Sequence, residues 1–147
     1  MERIEIPNFY EPGMDPGLYI SRKVSIDGDI LTTFELQLIH QDSEPPLSSG
    51  AIHSIDCMFR TYLKNQSNEI AGKMVYFGSK ENGSGFDLIF MGDYKIADVV
   101  GLLRDSADYM LNFEWDFSSE GKSDDVAGAK FFIKKYKIDV LDDPNYQ

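Results

Sequence analysis

Apolar and polar positions alternate in two stretches of this chain and recur at helical spacing in two others. Phe34, Leu36 and Leu38 alternate with Glu35 and Gln37, the period of a strand with one buried face. A strand over about Gly17 to Val24 precedes it, and Asp27-Gly28-Asp29 reads as the turn between them. After the Pro45-Pro46 loop, Ala51, Ile52, Ile55, Met58, Phe59, Tyr62 and Leu63 fall on one helical stripe. Ser48 or Ser49 stands where its N-cap belongs. A second hairpin is expected from a short strand at Lys73 to Phe77, an Asn82-Gly83 turn, and the alternation of Phe86, Leu88 and Phe90. Ile96, Val99, Val100, Leu103, Ala107, Met110 and Leu111 then predict a long amphipathic helix from about Tyr94 to Asn112. Ser123-Asp124-Asp125 caps a last helix to about Lys137.

The order is strand pair, helix, strand pair, helix, helix. It predicts an α+β fold, with helices packed on one face of an antiparallel sheet. Residues 1–147 are expected to form a single domain. Pro7, Pro12, Gly13, Pro16 and Gly17 make residues 1–17 an irregular arm, and the acidic tail, residues 139–147, is expected to fray.

Composition narrows the function classes. Among 147 residues, 25 acidic against 14 basic side chains give a net charge of −11, and 42% are hydrophobic. The sign speaks against nucleic acid and anionic membranes, which attract basic patches. It suits a basic protein partner, although a merely solvated acidic surface is the commoner meaning. A single cysteine excludes an internal disulfide, the N-terminus lacks the apolar run of a signal peptide, and no apolar stretch is long enough to span a membrane. A soluble, cytoplasmic protein is expected.

The candidate chemistry sits in His53-Ser54-Ile55-Asp56-Cys57. His53 and Cys57 are four residues apart, so a helix places them on one face, with Asp56 between them in sequence. An imidazole and a thiolate suit zinc or iron, and Asp56 is a candidate base toward a metal-bound water. Set on a helical wheel at about 100° per residue, the pair lies off the apolar stripe, on the side of Arg60 and Lys64. It must face solvent, a second protein layer or a subunit partner. The plain alternative is a hydrogen-bonded histidine beside a small thiol. Two ligands do not complete a zinc site, and His40 is the only other histidine, better placed to cap a strand end. Cys57 as a nucleophile with His53 as base lacks any visible orienting group. Ser79 to Gly85 lacks the Lys-Ser/Thr ending of a phosphate loop and reads as a hairpin turn.

Four stretches together resemble the S-ribosylhomocysteinase (LuxS) family. They are Gly28 to Leu36, the helix from Leu47 to Asn65 with its His53-Ser54-Ile55-Asp56-Cys57, the hairpin Asn82-Gly83-Ser84-Gly85-Phe86, and Asp125 to Ala129. The resemblance spans roughly residues 18–137 and implies that family's fold and two-fold homodimer. It also implies changed chemistry. His53 matches the first metal-ligating histidine of the family's His-x-x-Glu-His helix. Asp56 replaces the glutamate base, one methylene shorter, and Cys57 replaces the second histidine. The later cysteine ligand has no counterpart, the catalytic cysteine falls at Asn82, and the core-strand arginine falls at Gln37. No residue from Phe9 to Asp15 matches the histidine of the partner's arm. Two expectations follow: a divergent member without ordinary lyase activity that binds a small molecule or a basic protein, or a retuned metalloenzyme using His53, Cys57 and Asp56.

Overall fold

The computed structural model describes residues 2–5, in backbone only, and residues 15–41, 43–114 and 125–146. Five strands, β1 (Glu2–Glu5), β2 (Gly17–Ile26), β3 (Asp29–Gln37), β4 (Met74–Ser79) and β5 (Gly85–Met91), form one antiparallel sheet in the order β1-β2-β3-β5-β4. Three helices, α1 (Ser49–Lys64), α2 (Ile96–Leu111) and α3 (Val126–Tyr136), complete the α+β arrangement. Among the described residues, no helix is long and apolar enough to cross a membrane.

Local chemistry accounts for the element ends. Asp27 and Gly28, both at positive φ, join β2 to β3 as a two-residue hairpin, the conformation Asp-Gly favours. Ser48 Oγ accepts from the Ala51 amide and starts α1. The Lys95 amide donates to Asp98 in the first turn of α2, and Asp125 Oδ1 accepts from the Gly128 amide at the start of α3. Close approach at Gly85 requires glycine: a Cβ there would lie 1.8 Å from the Leu36 carbonyl oxygen.

One face of the sheet carries Leu18, Phe34, Leu88 and Phe90 into a core shared with Ile55, Met58 and Phe59 of α1 and Val99 and Leu103 of α2. The opposite face departs from the alternation read in the sequence. Glu35 and Gln37, polar positions expected to meet solvent, are buried, to 1% and 0% exposure, as is Thr33 beside them. A polar residue in a period-2 pattern marks the second face of a strand, and on β3 that face is also covered.

Both chain ends correct the sequence reading. Part of the supposed irregular arm forms β1, pairing Glu2–Glu5 with Arg22–Ser25; Phe9 and its neighbours lie outside the described residues. At the other end, Val140 and Leu141 are buried in the core, and Arg104 donates to the Leu141 carbonyl at 2.8 Å. The Tyr136 hydroxyl donates to the Gly17 carbonyl at 2.8 Å, tying α3 to the start of β2. The apolar side chains of 138–141 explain the difference, because Val140 and Leu141 dock however acidic their neighbours are.

Candidate functional site

Helix α1 positions the residues singled out above. Ile55 and Phe59 anchor its inner face, and Ser54, fully buried, accepts from the Asp125 amide at 3.2 Å. The start of α3 is therefore hooked to α1 one residue beyond His53. With that face fixed, His53 turns outward and is exposed, and Cys57 is partly buried beside it. Cys57 Sγ lies 3.6 Å from His53 Nε2. Ser49, Ile52, His53 and Asp56 from α1, with Ser79 and Phe86 from the second hairpin, line an open recess of ≈ 380 Å³.

Asp56 is engaged within its own helix. Its Oδ1 accepts from Arg60 Nε at 2.9 Å, and Arg60 Nη2 donates to the Phe77 carbonyl at 2.9 Å. The guanidinium also lies over the Phe77 ring, 5.7 Å from its centroid. The candidate base is thus drawn toward the C-terminal side of α1 by a cation that is itself clamped to β4.

Zinc–nitrogen bonds of about 2.0–2.1 Å and zinc–sulfur bonds of about 2.3 Å at tetrahedral angles put the two donor atoms about 3.6 Å apart. His53 and Cys57 match that edge and fit as two adjacent ligands. They are not joined by others: among the described residues, no group of three His, Cys, Asp or Glu side chains is arranged to hold a metal ion. His40 pairs with Asp15 at 2.9 Å and its amide donates to Glu44, so it closes the loop after β3 rather than reaching α1. The chain has no further histidine or cysteine. Among the described residues, His53 and Cys57 therefore offer two donor atoms at ligand spacing and no third.

The second hairpin and the core strand show a different state. Asn82 Oδ1 accepts from Ser84 Oγ at 2.7 Å and from the Ser84 amide at 3.1 Å, a side-chain turn that shapes the loop. Gln37 donates from Nε2 to the Ile39 carbonyl at 2.9 Å. Its Oε1 accepts from Lys80 Nζ at 2.9 Å and from Ser84 Oγ at 3.2 Å. Lys80 in turn lies 3.4 Å from Glu35 Oε1. Asp87, opposite Glu35 across β3 and β5, has its carboxyl held above the usual range by burial, with Lys80 and Arg22 pulling the other way.

Sequence reading found the α1 pair and missed this network. The signal was present as Glu35 and Gln37 on one strand face and Lys80 in the turn. The period placed Glu35 and Gln37 on the face away from the core, and Lys80 was read only as part of a turn.

The sequence pattern of the family described as S-Ribosylhomocysteinase (LuxS) matches residues 12–130. Several curated relatives are named S-ribosylhomocysteine lyase. The protein of Clostridium beijerinckii is 33% identical over 133 residues, covering 86% of this chain and 83% of its own. That of Desulfotalea psychrophila is 32% identical over 149 aligned positions, covering 97% and 93%. That of Finegoldia magna is 29% identical over 143, covering 92% and 90%. A pattern match over most of the chain, and relatives aligned nearly end to end, make this chain a member of the S-ribosylhomocysteinase (LuxS) family.

Proposed function

We propose that this protein descends from S-ribosylhomocysteine lyases, no longer carries out their ordinary reaction, and acts by binding. The observation that carries this reading is Asn82. It stands where the family resemblance sets the catalytic cysteine, and its amide oxygen is held by Ser84 Oγ and the Ser84 amide. An amide cannot become a thiolate, and Cys57, the one thiol of the chain, lies on α1 beside His53. Losing such an acid/base group costs about 10²-fold or more in rate. Gln37, set against the family's arginine, is neutral, and both its amide nitrogen and its amide oxygen take part in internal hydrogen bonds. The recess beside His53 is the surface left for a small ligand, and the net charge of −11 suits a basic protein partner. The family's two-fold homodimer and a cytoplasmic setting belong to the same reading. Purified protein, reconstituted separately with ferrous iron, cobalt and zinc, is to be assayed for homocysteine release from S-ribosylhomocysteine. No release above background is expected, and turnover at ordinary enzymatic rates would sink the proposal.

One observation favours a second reading, a retuned metal site. The 3.6 Å between His53 Nε2 and Cys57 Sγ is the spacing of two ligands already in place. A bound metal would supply Lewis-acid polarisation there. Asp56 would serve as base only after parting from Arg60. Elemental analysis of protein purified without added metal separates the readings. Stoichiometric metal lost on Cys57→Ala favours the metal site, and metal-free protein of unchanged stability in chelator favours binding alone.

A further inference from the structure

Asn82 is exposed in the turn of the second hairpin, and it is the only asparagine of the chain that glycine follows. The backbone beyond it is held from two sides. The Gly83 carbonyl accepts from the Leu47 amide at 2.9 Å, and the Ser84 carbonyl accepts from the Leu38 amide at 2.9 Å. Gly83 sits at φ +72°, and a Cβ there would lie 3.0 Å from Pro46 Cβ, so position 83 suits a residue without a side chain. The backbone nitrogen next to the Asn82 side chain therefore has no side chain of its own to shield it.

The Asn82 side-chain carbonyl receives two donors from one residue. Ser84 Oγ lies 2.7 Å from Asn82 Oδ1 and the Ser84 amide lies 3.1 Å from it. Ser84 is buried, and its hydroxyl is nearer to Asn82 than to Gln37 Oε1, at 3.2 Å. Two fixed donors on a carbonyl oxygen draw electron density from its carbon and stabilise the negative charge that develops when a nucleophile adds. The nucleophile within reach along the chain is the Gly83 nitrogen, whose attack on Asn82 Cγ closes a five-membered ring. One bond opposes this, from the Gly83 amide to the Lys80 carbonyl at 3.0 Å. Opening such a bond costs about tenfold in population. A single preorganised donor at a developing oxyanion is worth about 10²-fold or more where water is excluded, and Asn82 has two. The balance favours reaction.

We propose that Asn82 is a modification site, at which Ser84 assists conversion of the asparagine to aspartate and isoaspartate without a second protein. Hydroxide removes the Gly83 amide proton, and the nitrogen bonds to Asn82 Cγ. The Cγ–Nδ2 bond then breaks, and the amide nitrogen takes a proton from water and leaves as ammonia. Water opens the cyclic imide at either carbonyl. One water is consumed and one ammonia released, and nothing is oxidised or reduced. Both products add a negative charge to the turn that carries Lys80. Isoaspartate also lengthens the backbone by one carbon and breaks the side-chain turn that shapes the loop.

Full-length protein is incubated at neutral pH in heavy-oxygen water, folded and in guanidinium chloride, and its peptides are sequenced by mass spectrometry. Ammonia loss with uptake of heavy oxygen at Asn82 is expected to be faster in the folded protein than in the unfolded chain. Asn65, Asn68 and Asn112 should stay intact over the same time. Ser84→Ala should slow the folded-state reaction about tenfold, less than at an enclosed site because water reaches Asn82, and leave the unfolded rate unchanged. Ser84→Thr keeps the hydroxyl and should keep the rate. The comparison of folded with unfolded protein needs no variant, so the test stands if Ser84→Ala does not fold. Slower conversion in the folded protein than in the unfolded chain, or an unchanged rate in folded Ser84→Ala, overturns the proposal.

Discussion

The recess on α1 and the hairpin network on β3 and β5 treat their polar groups in opposite ways. On α1, His53 and Cys57 keep donor atoms 3.6 Å apart beside open space. On the sheet, Gln37, Lys80, Asn82 and Ser84 satisfy one another, and Glu35 is buried to 1% exposure. Polar groups at the surface are solvated by water and need no fixed partner inside the protein. Buried polar groups need partners inside the protein, because a donor or acceptor left without one costs about 1–3 kcal/mol; Asp87 Oδ1, buried with no hydrogen bond, bears that cost. The buried network is therefore expected to carry more of the stability than the recess on α1.

Four measurements would break or sharpen that contrast. Lys80→Met removes the cation beside Glu35 and the donor to Gln37, and should destabilise the protein by about 3–5 kcal/mol in urea unfolding. A loss within error of zero would show that the network does not hold the hairpin. Gly85→Ala forces a methyl against the Leu36 carbonyl, and about 3 kcal/mol of lost stability is expected, with weaker protection of the β3–β5 amides in hydrogen exchange.

Asp87 should act in the opposite direction. Burial raises its folded-state pKa above the ordinary 3.8, so the folded protein holds this proton more tightly than the unfolded chain does. Its contribution is greatest below 3.8 and declines as pH rises through the raised folded value, then stays flat. Asp87→Asn should remove that decline and raise the melting temperature at pH 7 without raising it at pH 3; equal shifts at both pH values would show that ionisation is not the cause. The smallest effect is expected on α1, where Cys57→Ala should change stability by no more than about 0.5 kcal/mol in chelator. A larger loss would mean that the α1 pair is structural.

Much of the fold was legible because it rests on period. The stripe from Ala51 to Leu63 faces the sheet and α3, and the alternation at Phe34, Leu36 and Leu38 faces the core. Ser48, one of two candidate caps, does cap α1. Period reports which residues share a face and is silent about what lies on that face, so the burial of Glu35 and Gln37 was invisible. The same limit hid the docking of Val140 and Leu141, two apolar residues in too short and acidic a stretch to show a pattern. At the site, proximity of His53 to Cys57 followed from their spacing. The Asp56–Arg60 pair has that same spacing, but Asp56 was read for its chemistry and not for its neighbour.

The bond from the Asp125 amide to Ser54 Oγ gives α1 a division of labour with a practical use. Ser54, Ile55, Met58 and Phe59 hold the helix to its neighbours, and a saturation library should leave them alone. Ser49, His53, Asp56 and Cys57 can be randomised as a set, with Arg60 kept for its bond to the Phe77 carbonyl, because the scaffold beneath them is clamped from the other side.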